Sequence, residues 1–197
     1  MFQNIEIEFK NMLTKEEYEL LLIKFTTVES KLITQENHYF DTKDFALKNE
    51  QSALRIRQKG QQFEMTLKQP ANIGLLETTQ NLTEAEATLA IQEGKLPSGA
   101  IKEIISKMDI VFSKLSYFGS LKTNRAEMNY KSGILVLDHS LYLNKEDYEL
   151  EYEVENEQLG QKIFEELLNQ YNIPHRKTEN KIQRFYNQKN LLKNSAF

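Results

Sequence analysis

Residues 4–12 read Asn4-Ile5-Glu6-Ile7-Glu8-Phe9-Lys10-Asn11-Met12, a strict alternation of apolar and charged side chains. Successive side chains of an extended chain point to opposite faces, so Ile5, Ile7 and Phe9 share one face and Glu6, Glu8 and Lys10 the other. A half-buried strand with its charges in water would produce this pattern, and so would a strand whose charged face meets a charged ligand. Other strands decide between the two.

The alternation recurs. Arg55, Arg57 and Lys59 share a face opposite Leu54 and Ile56, and Glu64, Thr66 and Lys68 alternate with Phe63, Met65 and Leu67. Arg125 and Glu127 stand opposite Ala126 and Met128, and Asp138 shares a face with Ile134 and Val136. Glu149, Glu151 and Glu153 form an acidic ladder against Tyr148, Leu150, Tyr152 and Val154. Any one strand, taken alone, reads as an amphipathic strand with its charges in solvent. As a set they would leave a large, strongly charged surface, with like charges along one strand. Opposite charges paired across strands contribute only about 0.2–1 kcal/mol each, too little to require such ladders. A barrel closed on its charged faces, with helices over its apolar outside, accounts for all of them. Unpaired ions inside would cost several kcal/mol each, so a charged ligand is expected there. Arginine and lysine suit a polyanion, and carboxylates suit Mg²⁺ or Mn²⁺. Together they describe a metal–polyphosphate site.

The rest of the chain sets bounds. With 197 residues, 40% hydrophobic and 27% charged, it suits one globular domain, read here as residues 1–189 with a frayed tail at 190–197. The net charge of −4 argues against a general nucleic-acid binder, and the absence of cysteine excludes disulfides and thiolate metal sites. No apolar run approaches the roughly 20 residues of a membrane helix. The opening MFQNIEIEF has no basic stretch followed by an apolar one, so a cytoplasmic protein is expected, with no DNA or membrane partner and a homodimer left open.

Thr14/Glu17 and Thr83/Glu86 are capping boxes that start helices, with Gly94 a stop for the second. Extended runs are expected at 34–42, 52–60, 61–70, 75–82, 111–117, 120–128, 133–140 and 148–155, giving four or so strands plus helices, twice. Further helices are expected at 99–107 and 177–189, and one carries Ile163, Phe164, Leu167, Leu168 and Tyr171 on a single stripe. Lys177, Lys181 and Arg184 recur at helical spacing. They read either as a solvated face or as a helix over one tunnel mouth that adds Lys181 and Arg184 to a phosphate site. His38, His139 and His175 lack metal-ligand spacing, and Glu93–Gly99 contains Gly-Lys without a Walker loop.

Spread from Glu6 to Arg184, these motifs resemble the CYTH family, named for class IV adenylate cyclase and thiamine triphosphatase and also called triphosphate tunnel metalloenzymes. Its opening ExExK stands as Glu6-Ile7-Glu8-Phe9-Lys10, its aromatic-Asp-Thr stretch as His38–Thr42, its LRxR as Leu54–Arg57, and its lysine strand ends at Lys68. Glu77, Arg125, Asp138 and the acids of Glu149–Glu153 follow in the family's order. The resemblance implies an α+β fold, an eight-stranded antiparallel closed barrel with helices outside, binding triphosphate compounds or inorganic polyphosphate. Lys10, Arg55, Arg57, Lys68 and Arg125 would grip the phosphates. Asp138, Glu149 and Glu151 would hold Mg²⁺ or Mn²⁺, with Glu6 and Glu8, and Glu153 could replace Glu149 or Glu151. Glu77 rests on the resemblance alone. Lys59, Glu64 and Glu127 fit the inner face by parity. Tyr39 and Lys68 match a tyrosine–lysine pair that similar thiamine triphosphatases place near the water, although Tyr39 also reads as a core aromatic. The activity implied is a metal-dependent triphosphatase, an adenylate cyclase or a non-catalytic binder.

Overall fold

The computed structural model describes residues 1–194. Its strands are β1 (Phe2–Leu13), β2 (Lys31–Asp41), β3 (Ala53–Lys59), β4 (Gln62–Pro70), β5 (Leu75–Leu82), β6 (Ser116–Tyr130), β7 (Gly133–Tyr142) and β8 (Lys145–Val154). They close into an antiparallel barrel in the order β1-β5-β4-β3-β2-β6-β7-β8. The helices are α1 (Lys15–Phe25), α2 (Ala46–Asn49), α3 (Glu84–Glu93), α4 (Ala100–Ser106), α5 (Glu157–Gln170) and α6 (Lys181–Asn194). Residues Phe2–Glu6 of β1 pair with β5, and Ile7–Leu13 pair with β8.

Local chemistry sets several boundaries. Thr14 accepts from Glu17 N (3.2 Å) while Glu17 Oε2 accepts from Thr14 N (2.8 Å), so two free donors at the start of α1 are satisfied reciprocally. Thr83 and Glu86 do the same for α3, which ends at Gly94 with φ +69°, a conformation that favours glycine. Asn180 caps α6, its Oδ1 accepting from Gln183 N at 2.9 Å.

The chain forms two compact units, residues 1–6 with 35–120 and residues 7–34 with 121–197. In the first, Phe40, Leu54, Ile56, Met65 and Leu67 from the strands bury themselves against Leu47, Ala87, Ala90, Ile101 and Ile105 from the helices. In the second, Leu13, Ala126, Met128, Leu135, Leu137, Leu150 and Tyr152 pack on Leu21, Ile163, Phe164, Leu167 and Leu168. Both cores use the apolar face of each strand, so the charged faces turn to the inside of the barrel. Leu150 is fully buried. Leu150→Ala is expected to lower unfolding stability by about 2–5 kcal/mol, read from the urea midpoint at unchanged slope.

Three expectations are corrected. Of the strand expected at 111–117, residues 111–115 lie outside any strand and only 116–117 belong to one, as the start of β6. Phe112–Lys114 form a 3₁₀ turn, with Lys114 N donating to Val111 O (2.9 Å), and Val111 is exposed. The expected break before Ser120 is also absent, because Gly119 at φ +153° lets β6 stay extended where a side chain would be strained. The first part of the chain keeps its five expected strands, and the second has three where four runs were expected. The tail helix begins at Lys181 and reaches Asn194, because Asn180 caps it. Residues 190–194 belong to this helix, and residues 195–197 lie outside the described residues.

His38, on β2, is 7% exposed, and neither ring nitrogen has a hydrogen-bond partner among the described residues. Tyr117 lies 6.0 Å away between ring centroids, and Ile56 stands opposite on β3. Burial lowers its pKa, against a smaller opposing pull from the Glu36 charge. The unfolded chain then binds a proton more readily than the fold, so this contribution is intact above about pH 6.5 and is lost as pH falls towards the folded pKa. His38→Phe should flatten unfolding stability measured between pH 7 and 5.

Candidate functional site

In the second unit, Asp138 and Glu149 stand directly opposite across β7 and β8, and Glu151 follows Glu149 by one period on the same face. Asp138 and Glu149 are fully buried and Glu151 is 4% exposed. Like charges placed this way repel, so the arrangement needs counter-charge. Arg125, opposite Asp138 on β6, supplies part of it. Its Nε and Nη2 donate to the two Asp138 oxygens (2.8 and 2.6 Å), and Nη2 donates again to Glu151 Oε2 (2.8 Å). Lys181, the first residue of α6, supplies the rest: its Nζ lies 2.9 Å from Asp138, 2.6 Å from Glu149 and 2.5 Å from Glu151. Burial alone would raise the Asp138 and Glu151 carboxyls. The Arg125 and Lys181 charges reverse that, holding Asp138 below and Glu151 well below the usual carboxylate range.

Arg184, one turn further along α6, donates to Glu149 Oε2 (2.8 Å) and Asp147 Oδ2 (3.0 Å), and Tyr142 donates its hydroxyl to Asp147 (2.6 Å). Lys10 pairs with Glu8. Burial opposes its charge, but Glu8, Glu151 and Glu149 carry its pKa above the ordinary value. Glu127 and Glu153 lie 3.8 and 3.7 Å from Arg125.

In the first unit, Lys68 faces Glu77 across β4 and β5, and its Nζ lies 2.5 Å from both Glu77 and Glu6. Burial would raise Glu77, yet Lys68, Arg55 and Arg57 bring it below its usual value. Arg57 Nε donates to Asn37 (3.0 Å), and its Nη1 is a loose 3.6 Å from Glu64. Arg55 reaches Glu77 only at 3.9 Å, and its buried Nε has no hydrogen-bond acceptor among the described residues. Burying a charged donor without an acceptor is costly, and an anionic oxygen would satisfy it. Tyr39 lies opposite Arg55, is 3% exposed and stacks on Phe118 (centroids 6.1 Å apart). Lys59 follows Arg57 by one period and is half-buried.

The placement differs from the sequence expectation in instructive ways. Lys181 and Arg184, expected either in solvent or on a phosphate, contact carboxylates, and Lys177 is exposed and precedes α6. Glu77, without an alternation to support it, is a partner of Lys68. Asp147 and Asn37 were missed. Asp147 extends the period-two ladder of Glu149, Glu151 and Glu153 by one step, a signal that was present in the sequence. No histidine joins the acidic group: His139 pairs with Glu146 at 2.7 Å and His175 is exposed.

Asp138, Glu149 and Glu151 each offer an oxygen within 4.8 Å of the other two, so the trio could hold a metal ion. All-carboxylate donors fit a hard divalent cation better than a thiolate- or imidazole-seeking one.

Comparison with known proteins gives consistent matches. The family model for the CYTH domain matches residues 4–186. "Putative triphosphatase YjbK" of Bacillus subtilis (strain 168) is 49% identical over 189 residues, covering 96% of this chain and 98% of that protein. A solved structure described as a putative adenylate cyclase from Bacillus halodurans is 45% identical with a TM-score of 0.88, covering 94% of this chain and 100% of the other. HpAC1 from Hippeastrum, whose structure is described as revealing a dominant triphosphatase activity, shares the fold at TM-score 0.75 and 23% identity, covering 93% and 96%.

Proposed function

Because the chain belongs to the CYTH family, we propose that it hydrolyses the phosphoanhydride of a triphosphate compound with the help of Mg²⁺ or Mn²⁺. The observation that carries this reading is the buried trio Asp138, Glu149 and Glu151, set among arginines and lysines on one face of each strand. Inorganic tripolyphosphate, thiamine triphosphate and nucleoside triphosphates all present the required anion. The same reading assigns the work to the cytoplasm.

In this reading Arg55, Arg57, Lys68, Lys10 and Arg125 hold and orient phosphate oxygens, arginine by its fork and lysine as a point charge. Asp138, Glu149 and Glu151 would hold the cation, with Glu6 and Glu8 as further carboxylates. The cation neutralises charge on the phosphate oxygens. Water adds at the terminal phosphorus, the bridging P–O bond breaks with its electron pair leaving on the diphosphate, and the proton from water passes to solvent. Tyr39 and Lys68 are the groups proposed to orient that water. Positioning and charge stabilisation do most of this work, which suits a site built from many ions.

The name of the Bacillus halodurans relative favours a second reading, adenylate cyclase, and loss of turnover would leave a third, a triphosphate-binding protein. Purified protein with a panel of triphosphates separates the three. Orthophosphate release that EDTA stops and Mg²⁺ or Mn²⁺ restores is expected. Cyclic AMP with pyrophosphate would replace hydrolase by cyclase, and saturable binding without product would leave a binder.

A further inference from the structure

The first turn of α6 carries a lysine where a helix least favours one. At a helix N-terminus the free amides present the positive end of the peptide dipoles, and acids rather than bases are stabilised. Lys181 is the first residue of α6 and Arg184 the fourth, while the first turn contains no acid. The compensation is external: three carboxylates from β7 and β8 meet one ammonium.

The carboxylates involved are those a cation would use. Lys181 Nζ contacts Asp138 Oδ2, Glu149 Oε2 and Glu151 Oε1, one from each member of the trio that could hold a metal. An ammonium has three N–H donors, and here three carboxylates lie within 2.9 Å of it, Glu151 as a hydrogen-bond acceptor. We infer that Lys181 is an exchangeable internal cation: its ammonium and a divalent ion compete for the same oxygens, so metal entry expels the lysine and loosens the first turn of α6. This rests on the reading of the trio as a cation site.

Arg125 is the poorer candidate for expulsion. It is fixed by a bidentate bond to Asp138 from a neighbouring strand of the sheet, whereas Lys181 reaches in on a flexible stem. Its departure need not undock the helix, because Phe185 and Tyr186 stay buried at 1% and 2% exposure and Arg184 keeps Asp147. An ammonium released in this way is available to an anion, which reconciles the phosphate role expected of Lys181 with the carboxylate contacts it makes.

The test is Mn²⁺ binding to the full chain, followed by loss of the free-ion electron paramagnetic resonance signal. Lys181→Met is expected to bind Mn²⁺ about tenfold or more tightly than wild type, Lys181→Arg to stay near wild type, and Asp138→Asn to bind weakly or not at all. In the wild-type protein, Mn²⁺ should speed amide hydrogen exchange at Gln183 and Arg184, whose amides bond to Asn180, and EDTA should reverse it, a readout that stands even if Lys181→Met fails to fold. Equal or weaker Mn²⁺ affinity in folded Lys181→Met, with exchange in α6 unchanged by metal, overturns the competition and leaves the cation site standing. No Mn²⁺ binding to either protein, or binding indifferent to Asp138→Asn, removes both.

Discussion

Arg125→Met is expected to lower unfolding stability at pH 7 by about 3–5 kcal/mol, the typical cost of stranding buried charge by removing its partner. Arg125 is 10% exposed and Asp138 and Glu151 are 0% and 5% exposed by side chain, so water cannot replace the lost donors. The pH dependence separates this cause from simple loss of packing. In the wild type, Asp138 and Glu151 are held below their usual range by Arg125 and Lys181, so they stabilise the fold above the unfolded carboxyl pKa near 4 and lose that contribution as pH falls through the depressed folded values. In the variant these carboxyls titrate closer to their unfolded values. The deficit seen in urea unfolding should therefore stay nearly level from pH 7 to about pH 4 and shrink as pH falls below it. A deficit that stays constant below pH 4 as well would mean that the guanidinium matters for its bulk and not for its charge.

Arg55→Ala should separate function from stability in the opposite way. Arg55 has a distant carboxylate at 3.9 Å and a buried Nε with no acceptor among the described residues, while Glu77 keeps Lys68 at 2.5 Å when the arginine is gone. Removing a charge so poorly satisfied should change unfolding stability by no more than about 1 kcal/mol. If that donor serves the phosphate oxygens of the transition state, kcat/KM for triphosphate hydrolysis should fall about 10²–10³-fold. Wild-type turnover in a folded Arg55→Ala protein would remove Arg55 from the phosphate site. A large loss of stability would show that Arg55 serves the fold.

The two expectations differ because the two charged sets differ in how completely they satisfy themselves. The acids around Asp138 are matched by Arg125 and Lys181 at bonding distance, so the fold depends on each partner. At Arg55 a buried guanidinium donor is left without an acceptor among the described residues, a pattern found where a protein holds back stability for a ligand.

Much of this was legible in one dimension. Strict alternation through Glu6–Lys10, Leu54–Lys59 and Glu149–Glu153 states which side chains share a face, because a strand has a period of two whatever surrounds it. Thr14/Glu17 and Thr83/Glu86 announce their helices because a capping box closes within four residues. What stayed hidden depends on contacts between residues far apart along the chain. Gly119 reads as a break, yet β6 runs extended through it at φ +153°. Lys181 and Arg184 read as phosphate ligands or solvent charges; that they neutralise Asp138, Glu149, Glu151 and Asp147 follows from where α6 docks, which no local pattern encodes. Parity and caps are short-range properties of the backbone and survive in any environment, whereas the partner of a charge is chosen by distance in space.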